Sequence, residues 1–144
     1  MGYIAVIDYG VGNLMSVTNA LQYIGRESKI TDQASDLERA DGIILPGVGA
    51  FPDAAEKLQQ TGLVATLKEQ AAKKPMLGIC LGMQLLFDWS DEYGVHRGLG
   101  LIPGRVVAME GRLPTELKIP HIGWNALRFP DGPRHPLLAS VEEG

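Results

Sequence analysis

The sequence predicts an α/β protein built on a doubly wound, mostly parallel sheet. Three observations carry that expectation. Short, nearly continuous apolar runs alternate with segments of helical periodicity through residues 1–89. The apolar runs are the kind that parallel strands need when helices cover both faces of the sheet. Three glycine-rich turns follow such runs, after Asp8, after Leu45 and at Cys80. In an open parallel sheet the C-terminal strand ends form the functional crevice, so the three turns fall on one edge.

In chain order, residues 3–8 read as the first strand, ending in Asp8-Tyr9-Gly10-Val11-Gly12-Asn13. A helix follows, with Leu14, Val17, Leu21 and Ile24 on one face, and Gly25 stops it. Residues 27–31 form a second, shorter strand, and Ser35 is a candidate N-cap for a short helix over 36–40. Gly42–Leu45 is the third strand and ends in Pro46-Gly47-Val48-Gly49. Helices over 52–60 and 63–74 come next, parted by Gly62. A short strand from Pro75 then turns into a helix reaching about Trp89.

Beyond Trp89 the character changes. Residues 90–104 are polar and glycine-rich, predicting a loop. A short β-type run over 105–109 and a turn over 111–115 follow. Residues 118–129 begin extended, because Pro120 disfavours helix at Ile119, and continue as a strand. A loop over 130–136 leads to one further element starting near 137–141.

Composition bounds the function. The 144 residues are 45% hydrophobic and 21% charged, ordinary for a soluble globular domain. A net charge of −4 and the absence of a basic cluster argue against nucleic-acid or anionic-membrane surfaces. Lys73-Lys74, the densest basic spot, reads as a helix C-terminus. One cysteine permits no internal disulfide and suits a reducing compartment. The N-terminal residues show neither signal-peptide pattern nor myristoylation site, and no apolar run reaches membrane-span length. The expected location is the cytoplasm.

The chemistry centres on Gly78-Ile79-Cys80-Leu81-Gly82. A strand ending on a nucleophile before a helix is the elbow seen in hydrolases, here with cysteine in place of serine. Glycines on both sides let chains pass closely and tolerate a strained backbone. The helix start puts partial positive charge beside the sulfur. A lone cysteine is more often a small buried hydrophobe; the paired glycines in this setting weigh for a nucleophile.

Pro46-Gly47-Val48-Gly49 is either a plain turn or, read with Cys80, an oxyanion loop, with the Leu81 amide as a second donor. Gln84 lies one helical turn after Cys80, placed for a substrate contact or simply to complete that helix face. The Gly10–Asn13 turn lacks the full dinucleotide fingerprint because residue 15 is Met, so it reads as a strand–helix turn with Asn13 as N-cap. His96, His121 and His135 lie in or beside loops. His96 and His135 read as solvent-exposed, and His121 as structural or interfacial. No metal site or cofactor is expected.

These motifs resemble the class I (triad-type) glutamine amidotransferases, whose core is flavodoxin-like. Gly78-Ile79-Cys80-Leu81-Gly82-Met83-Gln84 looks like their nucleophile motif and Pro46-Gly47-Val48-Gly49 like their oxyanion loop. Asp8-Tyr9-Gly10-Val11-Gly12-Asn13, Pro120-His121-Ile122-Gly123-Trp124-Asn125 and Gly98-Leu99-Gly100-Leu101-Ile102-Pro103-Gly104 narrow the resemblance to the glutaminase subunits of histidine biosynthesis. It covers the whole chain, residues 1–144, as one amidotransferase domain incomplete at its C-terminus, with C-terminal strands missing.

The resemblance implies that Cys80 attacks the carboxamide of glutamine, giving a γ-glutamyl thioester and ammonia. Gly47, Val48 and Leu81 would hold the oxyanion, after a peptide flip near Val48. Gly49 and Gln84 would bind glutamine. The ammonia would pass to a cyclase subunit, a (β/α)₈ barrel, in a heterodimer. Asn13, Pro120, His121, Trp124 and Asn125 would lie at that interface, with Trp124 as packing anchor. The family's catalytic His and Glu fall beyond Gly144, and none of the three histidines matches that position. For a chain ending at Gly144 the expectation is no useful glutaminase activity and an uncovered sheet flank. The alternatives are a catalytically silent structural or regulatory partner and another elbow-cysteine hydrolase.

Overall fold

The computed structural model describes residues 2–144. The chain divides into two compact units, Met1–Ala108 and Met109–Gly144. Among the described residues no helix is long and apolar enough to cross a membrane.

In the first unit, β1 (Ile4–Ile7), β2 (Ser28–Thr31), β3 (Gly42–Leu45) and β4 (Met76–Gly78) form a sheet in the order β2-β1-β3-β4. All its pairings are parallel: Ile4 lies opposite both Ser28 and Gly42, and Leu45 opposite Gly78. This is the predicted doubly wound pattern. The central strands bury best: all four residues of β3 are buried, as is Ala5-Val6-Ile7 of β1.

Helices α1 (Leu14–Tyr23), α2 (Ala34–Arg39), α3 (Phe51–Gln60) and α4 (Val64–Ala71) connect the strands. Helix α3 turns Phe51, Ala54 and Leu58 into the core at helical spacing. They meet Ile7, Leu37, Leu45, Leu67 and Leu85 there. Fully burying one such side chain stabilises by about 1.5–3 kcal/mol. The predicted apolar face of α1 is only half covered: Leu14, Val17 and Leu21 are partly buried and Ile24 is 66% exposed.

Gly25 ends α1 as expected. It sits at φ 71, and Arg26 N–H bonds Leu21 O while Gly25 N–H bonds Gln22 O, the reciprocal pair of a Schellman cap. Ser35 is not a cap. Helix α2 begins at Ala34, and the preceding turn is held instead by the Thr31 hydroxyl, which accepts from Gln33 N–H at 3.0 Å. Thr31 also donates at 2.6 Å to the buried Asp36 carboxylate, which Lys29 and Arg39 bond at 2.8 and 2.9 Å. These partners, the Lys29 hydrogen bond first, pull Asp36 down from 3.8 to about 2. Lys74 does more than end a helix: its ammonium donates to Leu37 O, Glu38 O and Ala40 O, gathering the last carbonyls of α2.

The helix after Cys80, α5 (Leu81–Leu85), is shorter than predicted. Residues Phe87–Ser90 are a strand, β5, which pairs antiparallel with β6 (His96–Arg97) and parallel with β7 (Ile102–Val106). The carbonyls at the end of α5 explain the stop. Leu85 O accepts from Leu99 N–H, and Leu86 O from both Leu101 and Ile102 N–H, so loop residues take the bonds of a continuing helix. The β-type run predicted over 105–109 begins earlier, at Ile102, and the predicted 90–104 loop contains β6.

The second unit contains one regular element among its described residues, a 3₁₀ turn at Pro136–Leu138. The strand predicted within 118–129 does not form. Only Leu127 finds ladder-like partners, exchanging both backbone bonds with Gly144.

Candidate active site

Strand adjacency puts the three glycine turns side by side, since β1 neighbours β3 and β3 neighbours β4. Their contacts are closer than side chains would allow. A Cβ on Gly12 would lie 3.2 Å from the Pro46 ring. One on Gly47 would lie 2.7 Å from Gly82 N and 3.0 Å from Leu81 Cβ. One on Gly82 would come within 1.8 Å of Leu45 O, and one on Gly78 within 2.5 Å of Met83 Cα. The glycines are there because backbone passes backbone.

Cys80 sits at the centre of this packing with φ 54 and ψ −115. A non-glycine residue there carries backbone strain of about 1–3 kcal/mol, which persists only where the surroundings enforce it. The enforcement is visible: Ile79 N–H is fixed on Leu45 O at 3.0 Å, and Gln84 N–H on Cys80 O at 3.2 Å. The thiol is free and exposed. Helix α5 has five residues, so its dipole acts only at short range.

The Gly47 turn packs against the residues that follow Cys80, Leu81 and Gly82. Among the described residues, the amides of Gly47, Val48 and Leu81 have no acceptor, whereas Gly82 N–H bonds Ile79 O. Gly47 and Leu81 are buried; Val48 is 55% exposed, and Gly49 stands at φ 95 with open space around it. Amides without an acceptor are the kind of donor an oxyanion hole is built from.

Gln84 is half-buried one turn from Cys80. It lines a cavity of ≈ 230 Å³ with Asp91, Glu92 and Val106 to Ala108, just below the ~300–1,000 Å³ of common small-molecule sites. A larger groove of ≈ 680 Å³ lies by Tyr3, Gln22, Glu27 and Ser28, at the opposite strand ends from the glycine turns. Glu92 was not recognisable from the sequence. Its carboxylate accepts from Phe51 N–H at 2.7 Å, across 41 positions, and no local pattern announces such a bond. The sequence marks Tyr9 only as part of a turn; it is buried, and its hydroxyl donates to Pro46 O at 2.7 Å.

Asn13 caps α1, its Oδ1 accepting from Ser16 N–H at 3.1 Å. The other predicted interface residues lie in the second unit. His121 Nε2 and Asn125 Nδ2 are 2.7 Å apart, Pro120 follows a cis peptide bond, and Trp124 is fully exposed. In the first unit, His96 Nε2 meets Tyr93 O at 3.3 Å. His135 O accepts from Leu138 N–H at the 3₁₀ turn.

A family model described as glutamine amidotransferase class-I matches residues 5–128, and the chain belongs to that family. A solved structure titled as a glutamine amidotransferase shares the fold, with a TM-score of 0.65 at 20% identity over 80% of this chain and 61% of that one. Within the family, the chain is similar to imidazole glycerol phosphate synthase subunit HisH. It is 49% identical over 144 residues to that subunit of Halalkalibacterium halodurans, covering 98% of this chain and 67% of the relative. It is 54% identical over 128 residues to that of Moorella thermoacetica, covering 88% and 59%. The chain thus spans about three-fifths to two-thirds of the length of these curated relatives.

Proposed function

We propose that the chain acts as the glutaminase part of an imidazole glycerol phosphate synthase. The observation that carries this reading is the elbow. Cys80 is held at φ 54 between close-packed glycines, with acceptor-free amides at Gly47, Val48 and Leu81 beside it, in a chain of the amidotransferase family.

In this reading Cys80 Sγ adds to the carboxamide carbon of glutamine. The carbonyl oxygen becomes an oxyanion and takes hydrogen bonds from Leu81 N–H and from the Gly47–Val48 segment. Such donors act in the transition state, each worth roughly 10²–10³ in rate. The nitrogen takes up the proton given up by the thiol, collapse breaks the C–N bond and releases ammonia, and water hydrolyses the resulting γ-glutamyl thioester to glutamate and the free Cys80 thiol. Gln84 and Gly49 bind the substrate. The Glu92 carboxylate lines the same cavity and keeps its second oxygen beyond the bond to Phe51 N–H, which suits the ammonium of an amino acid.

The ammonia is passed to a cyclase partner, where it enters imidazole glycerol phosphate and releases an aminoimidazole carboxamide ribonucleotide. In the second unit, exposed Trp124 with Pro120, His121 and Asn125 is proposed as partner surface; in the first unit, Asn13 is proposed to meet the partner separately. An exposed aromatic anchor of this kind is the usual hot-spot type. A free, exposed thiol suits a reducing cytoplasm.

The test supplies glutamine labelled with ¹⁵N in its amide to the protein with its cyclase. The label is expected in the imidazole product, and expected to vanish with Cys80→Ser. Label incorporation that survives Cys80→Ser would reject the reading. Trp124→Ala is expected to weaken the complex by at least about tenfold.

A further inference from the structure

The oxyanion loop is tied at both ends and free between them. At its start, Tyr9 is 4% exposed and donates its hydroxyl to Pro46 O at 2.7 Å, across 37 positions. Burial pushes the Tyr9 phenol up from 10.0 to about 12, so it stays protonated and a donor across the working pH range. At its far end, Phe51 N–H is fixed on Glu92 Oε2 at 2.7 Å. Between these ties, Gly47 and Val48 have no acceptor for their amides among the described residues. Gly49 has open space around it.

A peptide unit is a rigid plane with its C=O and N–H pointing in opposite directions. Holding Pro46 O therefore also sets the direction of Gly47 N–H. The fit is tight, because a Cβ on Gly47 would lie 2.7 Å from the Tyr9 oxygen.

We propose that Tyr9 is a positioning residue for the oxyanion loop: its hydroxyl orients the Pro46–Gly47 peptide so that the loop amides meet the oxyanion formed at the carbon attacked by Cys80. Tyr9 acts through Pro46, touches no reacting atom, and rests on the glutaminase reading above.

The test is Tyr9→Phe in the intact protein with its synthase partner, read by two reactions of the same sulfur. Glutamine hydrolysis passes through the oxyanion. Alkylation by the chloroketone analogue of glutamine, counted as Cys80 adduct, forms an S–C bond as chloride leaves with its electron pair and the thiol proton goes to solvent. That reaction needs binding and the thiol but no oxyanion. The expected result is a fall in kcat of about tenfold, the size of one well-made buried hydrogen bond, with KM and the labelling rate each within about twofold.

A pair of unnatural residues keeps a para substituent at position 9. With 4-aminophenylalanine, which donates, kcat is expected within about threefold of the parent; 4-fluorophenylalanine, which does not donate, is expected to behave as Tyr9→Phe. Unchanged kcat in Tyr9→Phe would overturn the proposal. So would kcat and labelling falling together, which marks a merely structural loss. If the parent protein neither hydrolyses glutamine nor takes the analogue, the glutaminase reading itself fails and this inference falls with it.

Discussion

Within the first unit, order comes from strands paired across long sequence separations, whereas the second unit's own described residues pair at Leu127 and Gly144 and hold one 3₁₀ turn. Leu45 in β3 is fully buried, while Leu127 in the second unit is 53% exposed and Ile122 is 88% exposed. Both stretches carry apolar residues in extended patterns, and both were predicted to be strands. Only Gly42–Leu45 became one, because β1 and β4 take up its backbone groups from both sides. Residues 118–129 lack such neighbours among the described residues, and five of the nine prolines, at positions 114, 120, 130, 133 and 136, fall in the second unit. An apolar extended segment is a strand only where partners exist for its N–H and C=O groups.

The largest way to break the ordered unit is at the backbone crossing under Cys80. Gly82→Ala would drive a Cβ to 1.8 Å from Leu45 O, with only backbone to give way. The expected loss is about 3 kcal/mol or more in urea unfolding, an overpacking cost at the top of its usual range. Gly111→Ala, in the second unit at φ 71 with open space around it, is expected to lose far less.

A second test compares equal truncations in the two regions. Leu45→Ala is expected to cost about 2–5 kcal/mol and Leu127→Ala less than about 0.5 kcal/mol. Equal losses would show that the second unit buries more than its exposure indicates.

The smallest expected effect concerns pH. Asp36 is drawn down to about 2 by Lys29, Thr31 and Arg39, below its ordinary 3.8. The ionised form is therefore favoured in the folded state. Its contribution is complete above about pH 4 and is lost as pH falls through about 2. Asp36→Asn is expected to lower the melting temperature at pH 7. It should also flatten the fall in stability between about pH 4 and 2, measured against the parent protein.

How much of this was legible follows the same division. The apolar runs of β1 to β3, the Gly25 stop and the strand–cysteine–helix turn were readable because each is local. The elbow motif even implied its own strain, since glycines two residues before and after a cysteine have few other uses. What escaped were contacts without periodicity. Tyr9 reaches Pro46, Glu92 reaches Phe51, and Lys74 reaches the end of α2, each across more than thirty positions. The early end of α5 escaped for the same reason. Its last carbonyls are taken by residues 99–102, and nothing between Leu81 and Trp89 announces that.

The strained, glycine-flanked Cys80 is the proposed nucleophile toward glutamine. The most direct measurement is an acid quench of the protein and its cyclase partner during glutamine turnover, followed by peptide mass spectrometry. The expected result is a γ-glutamyl adduct on the peptide containing Cys80 and at least about a 10³-fold loss of turnover in Cys80→Ser. Glutamine consumed at the parent rate by Cys80→Ser, with no adduct on that peptide in the parent, would contradict it.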